Sequence, residues 1–179
     1  MSINKDRPHV YILPEDEANR QIAIGFLLDP SIKLRNIEVL RPAGGWHKVL
    51  GSFLDDHVPG LRNNLHRHLI LLIDFDGQVE ERTARFVSEF PDDVRNRVFL
   101  LGSMSEPEPL RTQCGHSLEN IGKTLAAECF RDEKQLWAHP LLAHNETERT
   151  RLNASVKSFL FQAEVSPPYT SGQGEFAHP

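Results

Sequence analysis

Apolar positions fall into short runs separated by charged, glycine-rich or proline-containing segments. His9-Val10-Tyr11-Ile12-Leu13 and Asn36-Ile37-Glu38-Val39-Leu40 read as strands, the second ended by Pro42-Ala43-Gly44-Gly45. The most apolar run, His68-Leu69-Ile70-Leu71-Leu72-Ile73, is stopped by Asp74-Phe75-Asp76-Gly77. A short run rich in branched side chains and closed by Asp and Gly predicts a buried central strand. Val98-Phe99-Leu100-Leu101-Gly102 predicts a fourth.

Helical patterns separate these runs. One covers Asp16 to about Leu28, with Gly25 as a weak point. A second runs from Trp46 to about Leu54, and Pro59-Gly60 is expected to break the chain after it. A third, Val79 to Phe90, is charged, with Val79, Phe86, Val87 and Phe90 forming one core face. Strands alternating with helices imply parallel βαβ units. After Gly102 the pattern is helical: Ser117 caps a helix to about Phe130, Leu136–Leu142 is apolar around Pro140, and Asn145 caps a helix from Glu146 to about Phe161.

The expected fold is therefore α/β, a doubly wound, mostly parallel central sheet with a helical C-terminal extension. Residues 1–8 read as a loose leader, 9–103 as the core, 104–164 as the extension packed on it, and 165–179 as a Pro/Gly/Ser-rich flexible tail.

A chain of 179 residues suits one core of this kind. The formal net charge of -5 argues against a general basic surface for nucleic acid, although a bound cation can offset local negative charge. No stretch is long and apolar enough to cross a bilayer, and the first residues lack the apolar core of a signal peptide. Cys114 and Cys129 fit free thiols in a reducing cytoplasm, and without a Cys-x-x-Cys pair they do not suggest zinc. The expectation is a cytoplasmic protein with no membrane partner.

The candidate chemistry lies at strand ends. Ligands of open α/β sheets collect outside the carboxyl ends of the strands. Asp74 and Asp76 close the third strand, and Glu15 follows the first, so the three can converge on one edge. Carboxylates within about 4–6 Å repel and raise one another's pKa unless a cation sits among them. Hard ions such as Mg²⁺ or Mn²⁺ prefer such oxygen sites. Asp16 and Glu17 are better explained by a helix N-terminus. Glu106 and Glu108, after the fourth strand, read by themselves as part of a polar, Pro-rich loop. Lys48, Lys123 and Lys157 read as solvated surface lysines, and spacing selects none of them as a basic group of the site. His66 and His68 fall at the far end of the third strand from the aspartates. His139 and His144 suit packing roles, and Trp137, Leu141 and Leu142 suit core.

A strand ending in Glu, a helix, a second strand followed by Gly, a helix, and a third strand ending in Asp-x-Asp resembles the TOPRIM domain. That domain occurs in topoisomerases, primases and OLD-type (overcoming lysogenization defect) nucleases. Leu13-Pro14-Glu15-Asp16-Glu17-Ala18-Asn19, Gly44-Gly45 and Ile73-Asp74-Phe75-Asp76 carry the resemblance, over roughly residues 9–103. Asp16 stands where the family usually has Gly, and Asn19 where it has an acid. Within that family the chain resembles the small OLD-type nuclease-like proteins. The resemblance implies a TOPRIM/Rossmann-like core and a Mg²⁺- or Mn²⁺-dependent nuclease, a hydrolase of phosphodiester bonds. Glu15, Asp74 and Asp76 would be its catalytic and metal-holding residues, and Glu106 or Glu108 would complete a second metal site. It also implies DNA as substrate, and an ATPase partner in DNA repair or antiviral defence.

Other readings start from the same residues. Asp74-Phe75-Asp76-Gly77 is similar to the first motif of haloacid dehalogenase-like phosphatases, with Asp74 as nucleophile and Asp76 as acid/base. Gln78 departs from that motif, and no later paired-Asp motif follows a strand. A receiver domain would need a Lys on a fifth strand. The third alternative is a catalytically inactive TOPRIM-like interaction subunit.

Overall fold

The computed structural model describes residues 3–163. Four parallel strands, β1 (His9–Pro14), β2 (Ile37–Val39), β3 (Arg67–Asp74) and β4 (Val98–Ser103), lie in the order β2-β1-β3-β4. The fold is α/β, with helices on both faces of the sheet. Alternation along the strands divides the core. Val10, Ile12, Ile70, Phe99 and Leu101 face α1 (Glu17–Leu27), α6 (Leu118–Arg131) and α7 (Glu146–Leu160). Tyr11, Leu13, Leu69, Leu71, Ile73 and Leu100 face α2 (Trp46–Ser52), α3 (Val58–Asn63) and α4 (Val79–Glu89). The chain steps from β1 outward to β2, then back across β1 to β3. The β1/β3 seam is therefore where the winding reverses, the place where a crevice opens at the strand ends.

Several local expectations are corrected. Pro59-Gly60 does not break the second helix. Phe53–His57 form a wider π-helical turn leading directly into α3, where Pro59 sits in the first turn and needs no helical N–H. Gly25 is not a weak point. It and Gly122 let α1 and α6 cross in backbone contact, since a Cβ at Gly25 would lie 2.0 Å from the Glu119 carbonyl oxygen and one at Gly122 1.9 Å from that of Ile22. The Pro-rich segment after β4 is not a loop but α5 (Pro107–Cys114), with Pro107 in the first turn.

Asn145 does not cap α7 through its side chain. Its amide instead pairs with the free edge of β4, accepting from Gly102 N–H at 3.0 Å and donating to Gly102 C=O at 2.8 Å. Glu148 accepts from Leu100 N–H at 3.0 Å, and Arg151 donates to the Val98 carbonyl. Side chains of α7 thus occupy the edge where a fifth strand would pair. The C-terminal helices complete one face and one edge of the core. The segment before β1 is irregular but anchored: Ile3 is buried, and Asn4 N–H donates to Arg35 C=O at 3.1 Å. The tail expected over 165–179 lies outside the described residues. Among the described residues no helix is long and apolar enough to cross a membrane.

Candidate active site

β1 ends at Pro14, and the chain stays paired one residue further, Glu15 N–H donating to Leu72 C=O at 2.8 Å. The Glu15 carbonyl then accepts from Gly44 N–H at 2.7 Å and Gly45 N–H at 3.3 Å. Both glycines have positive φ, 90° and 130°, so the β2–α2 loop can close beneath the end of β1. This closure brings the Trp46 N–H toward the Glu15 carboxylate, which accepts from the Asp74 N–H at 2.9 Å. Glu15 and Asp74 therefore meet across the β1/β3 seam.

Asp74 is in register with Ser103 of β4, on the α1 face. Asp16 caps α1 by accepting from Asn19 N–H at 2.9 Å. The Asn19 side-chain amide, itself buried, donates to Asp16 and to Asp74 Oδ1, both at 3.0 Å. Asn19 thus bridges two carboxylates where a further acid would repel them. Burial pushes the Asp74 carboxyl up to about 7, helped by the charges of Asp16, Glu15 and Asp76 and opposed by the Asn19 hydrogen bond. Burial also raises Glu15, against the pull of the Asp74 and Trp46 N–H groups.

Beyond Asp74 the chain turns through two left-handed residues, Asp76 (φ 49°) and Gly77 (φ 74°). Asp76 is exposed, and its Oδ2 accepts from Arg82 Nη1 at 2.8 Å. Sequence reasoning missed Arg82, which reads there as one of several charges on a surface helix. It is 6% exposed, also donates to the Asp74 carbonyl, and lies over the Trp46 ring at 4.7 Å. Ser103 was missed as well. Its hydroxyl is buried without a partner, at the polar end of an apolar cavity of about 70 Å³ lined also by Asn19, Phe26, Trp137 and Asn145.

The remaining candidates fall outside this cluster. Glu106 and Glu108 stand exposed at the start of α5, on the same edge of the sheet, as N-cap position and first-turn acid. Lys48 and Lys123 are exposed, and Lys157 pairs with Asp132 at 2.6 Å. His66 and His68 lie at the opposite end of the sheet. His144 packs edge-on against Phe75 with ring centroids 4.9 Å apart, and His139 Nδ1 accepts from Leu141 N–H at 3.2 Å. Trp137 and Leu142 are core, with Leu141 partly buried against it. Among the described residues no three His, Cys, Asp or Glu side chains stand close enough to enclose a metal ion as they are oriented.

The chain matches no family model, no curated protein and no solved structure in the comparisons made.

Proposed function

We propose that this chain is a metal-dependent nucleic-acid phosphodiesterase of TOPRIM type, with Glu15, Asp74 and Asp76 as its acidic centre. The observation that carries the reading is the meeting of Glu15 and Asp74 at the switch point of the sheet, through the 2.9 Å hydrogen bond. A buried carboxyl with three acids around it is a group short of a counter-cation. What supports Mg²⁺ or Mn²⁺ is the chemistry of the donors: all are carboxylate oxygens, and Asp74 Oδ2 and Asp76 Oδ1 have no hydrogen-bond partner among the described residues. The unpartnered Ser103 hydroxyl beside Asp74 adds another oxygen at the same edge.

When bound, such an ion polarises a phosphoryl oxygen and stabilises attacking and leaving oxygens. The chain's own residues would do the rest. Asp74 and Asp76 would hold the ion at the strand end. Glu15, held by the Asp74 backbone N–H and half-buried, would accept or return a proton at its carboxylate. Glu106 and Glu108, exposed at the start of α5, are the acids proposed for a second ion. DNA is the proposed substrate, and an ATPase partner in repair or phage defence is the proposed setting.

The test is nicking of supercoiled plasmid with Mg²⁺ or Mn²⁺. Activity lost in Asp74→Ala and Glu15→Ala supports the reading. Hydrolysis of a simple phosphate ester that needs Asp74 but tolerates Glu15→Ala would point instead to a phosphatase. A well-folded protein with neither activity that binds another protein tightly would support the interaction subunit.

A further inference from the structure

Arg82 holds an unusual position for a guanidinium: the side chain is 6% exposed, while that of its ion-pair partner Asp76 is 52% exposed. A charge so buried must be compensated on all sides. One nitrogen, Nη1, donates both to the backbone carbonyl of Asp74 and to Oδ2 of Asp76, the latter at 2.8 Å. Nη2 lies 3.5 Å from Gln78 Oε1, and the plane rests on the Trp46 indole at 4.7 Å. The Trp46 backbone N–H in turn lies on the Glu15 side of the site and pulls the Glu15 pKa down. Arg82 therefore touches the strand end bearing Asp74, the carboxylate of Asp76, and the Trp46 ring.

The left-handed turn at Asp76 and Gly77 makes this contact consequential. Nothing in the strand ladder fixes the Asp76 side chain, because β3 ends at Asp74. The Phe75 and Gly77 N–H groups tie the turn's backbone to Ser103 and Met104 carbonyls at 2.9 and 2.7 Å, but the carboxylate is held by Arg82. Arg82 uses only Oδ2 and leaves Oδ1 free among the described residues.

We infer that Arg82 is the positioning residue of the acidic centre, fixing Asp76 relative to Asp74 so that both aspartates can serve one divalent cation. This rests on the metal-binding reading above. Partners that orient a ligating carboxylate typically change metal affinity about 10–100-fold when replaced. A lysine would keep the charge, but its compact ammonium lacks the planar donor array resting on Trp46. The Arg82→Lys variant therefore separates position from charge.

The experiment is titration of the full chain with Mn²⁺, reading free Mn²⁺ by its electron paramagnetic resonance signal. Wild type is compared with Arg82→Lys, Asp76→Asn and the double variant, with folding checked by circular dichroism. Arg82→Lys is expected to weaken binding roughly 10-fold. The double variant should bind no more weakly than Asp76→Asn alone, because Arg82 acts through that carboxylate. Additive losses would mean a general structural role and overturn the proposal. So would an Arg82→Lys protein that binds as tightly as wild type, or more tightly, while Asp76→Asn binds weakly; the metal-binding reading would then survive. Wild type that binds no Mn²⁺, or binds it unchanged in Asp74→Asn, would sink both. Should Arg82→Lys fail to fold, Arg82→Gln, which keeps a planar donor, is read against the same outcomes.

Discussion

The carboxylate of Glu15 accepts a 2.9 Å hydrogen bond from the backbone N–H of Asp74, 59 residues away. The contact joins the ends of two adjacent parallel strands at the point where the sheet's winding reverses. The same strand end buries the Asp74 carboxyl, and that burial, helped by the charges of Asp16, Glu15 and Asp76, gives the site a measurable pH signature.

Asp74 titrates at about 7 in the folded protein against 3.8 for an unperturbed Asp. Between those values the folded state holds a proton that the unfolded state has released. The stability contributed by the neutral carboxyl is full below the unfolded value and is lost as pH rises through about 7. In the metal-free protein, Asp74→Asn should therefore gain on wild type by about 2–4 kcal/mol between about pH 4 and about pH 8. Urea denaturation in EDTA at both pH values measures this, and a constant difference between the two proteins would refute it.

Asn19 separates two carboxylates that would otherwise repel. Asn19→Asp should lower stability in EDTA at about pH 8 by about 1–3 kcal/mol, because a donor becomes a third charge beside Asp74 and Asp16. Added Mn²⁺ should recover much of that loss. Thermal melts with and without the metal check both halves.

The α1–α6 crossing leaves no room for a methyl group, and the obstacles are backbone atoms. Gly122→Ala should cost about 1–3 kcal/mol or more, despite alanine's better helix propensity. A melting temperature equal to or above that of wild type would contradict the crossing.

The two thiols should differ in reactivity. Cys129 is buried, and burial pushes its thiol up to about 11, whereas Cys114 is half-exposed with a smaller upward push. Alkylation of the native protein at about pH 8 should label Cys114 well before Cys129, with peptide mapping as the readout. Equal labelling would place Cys129 outside the core.

The pattern of residues alone determined the four strands, the parallel winding and the strand ends at which Glu15 and Asp74 emerge. These follow from local rules: branched apolar runs bury, Asp and Gly stop them, and strands alternating with helices wind in parallel. Only the tertiary structure decided what the charged and glycine positions do. Arg82 looks like any residue of a polar helix until the turn at Asp76 folds beneath it. Gly25 weakens a helix by propensity but permits a crossing that only α6 reveals. Asn145 follows the spacing of a cap yet pairs with a strand edge 43 residues earlier. Propensity and periodicity act over a few residues, whereas burial, hydrogen-bond partners and pKa depend on neighbours brought together from distant parts of the chain.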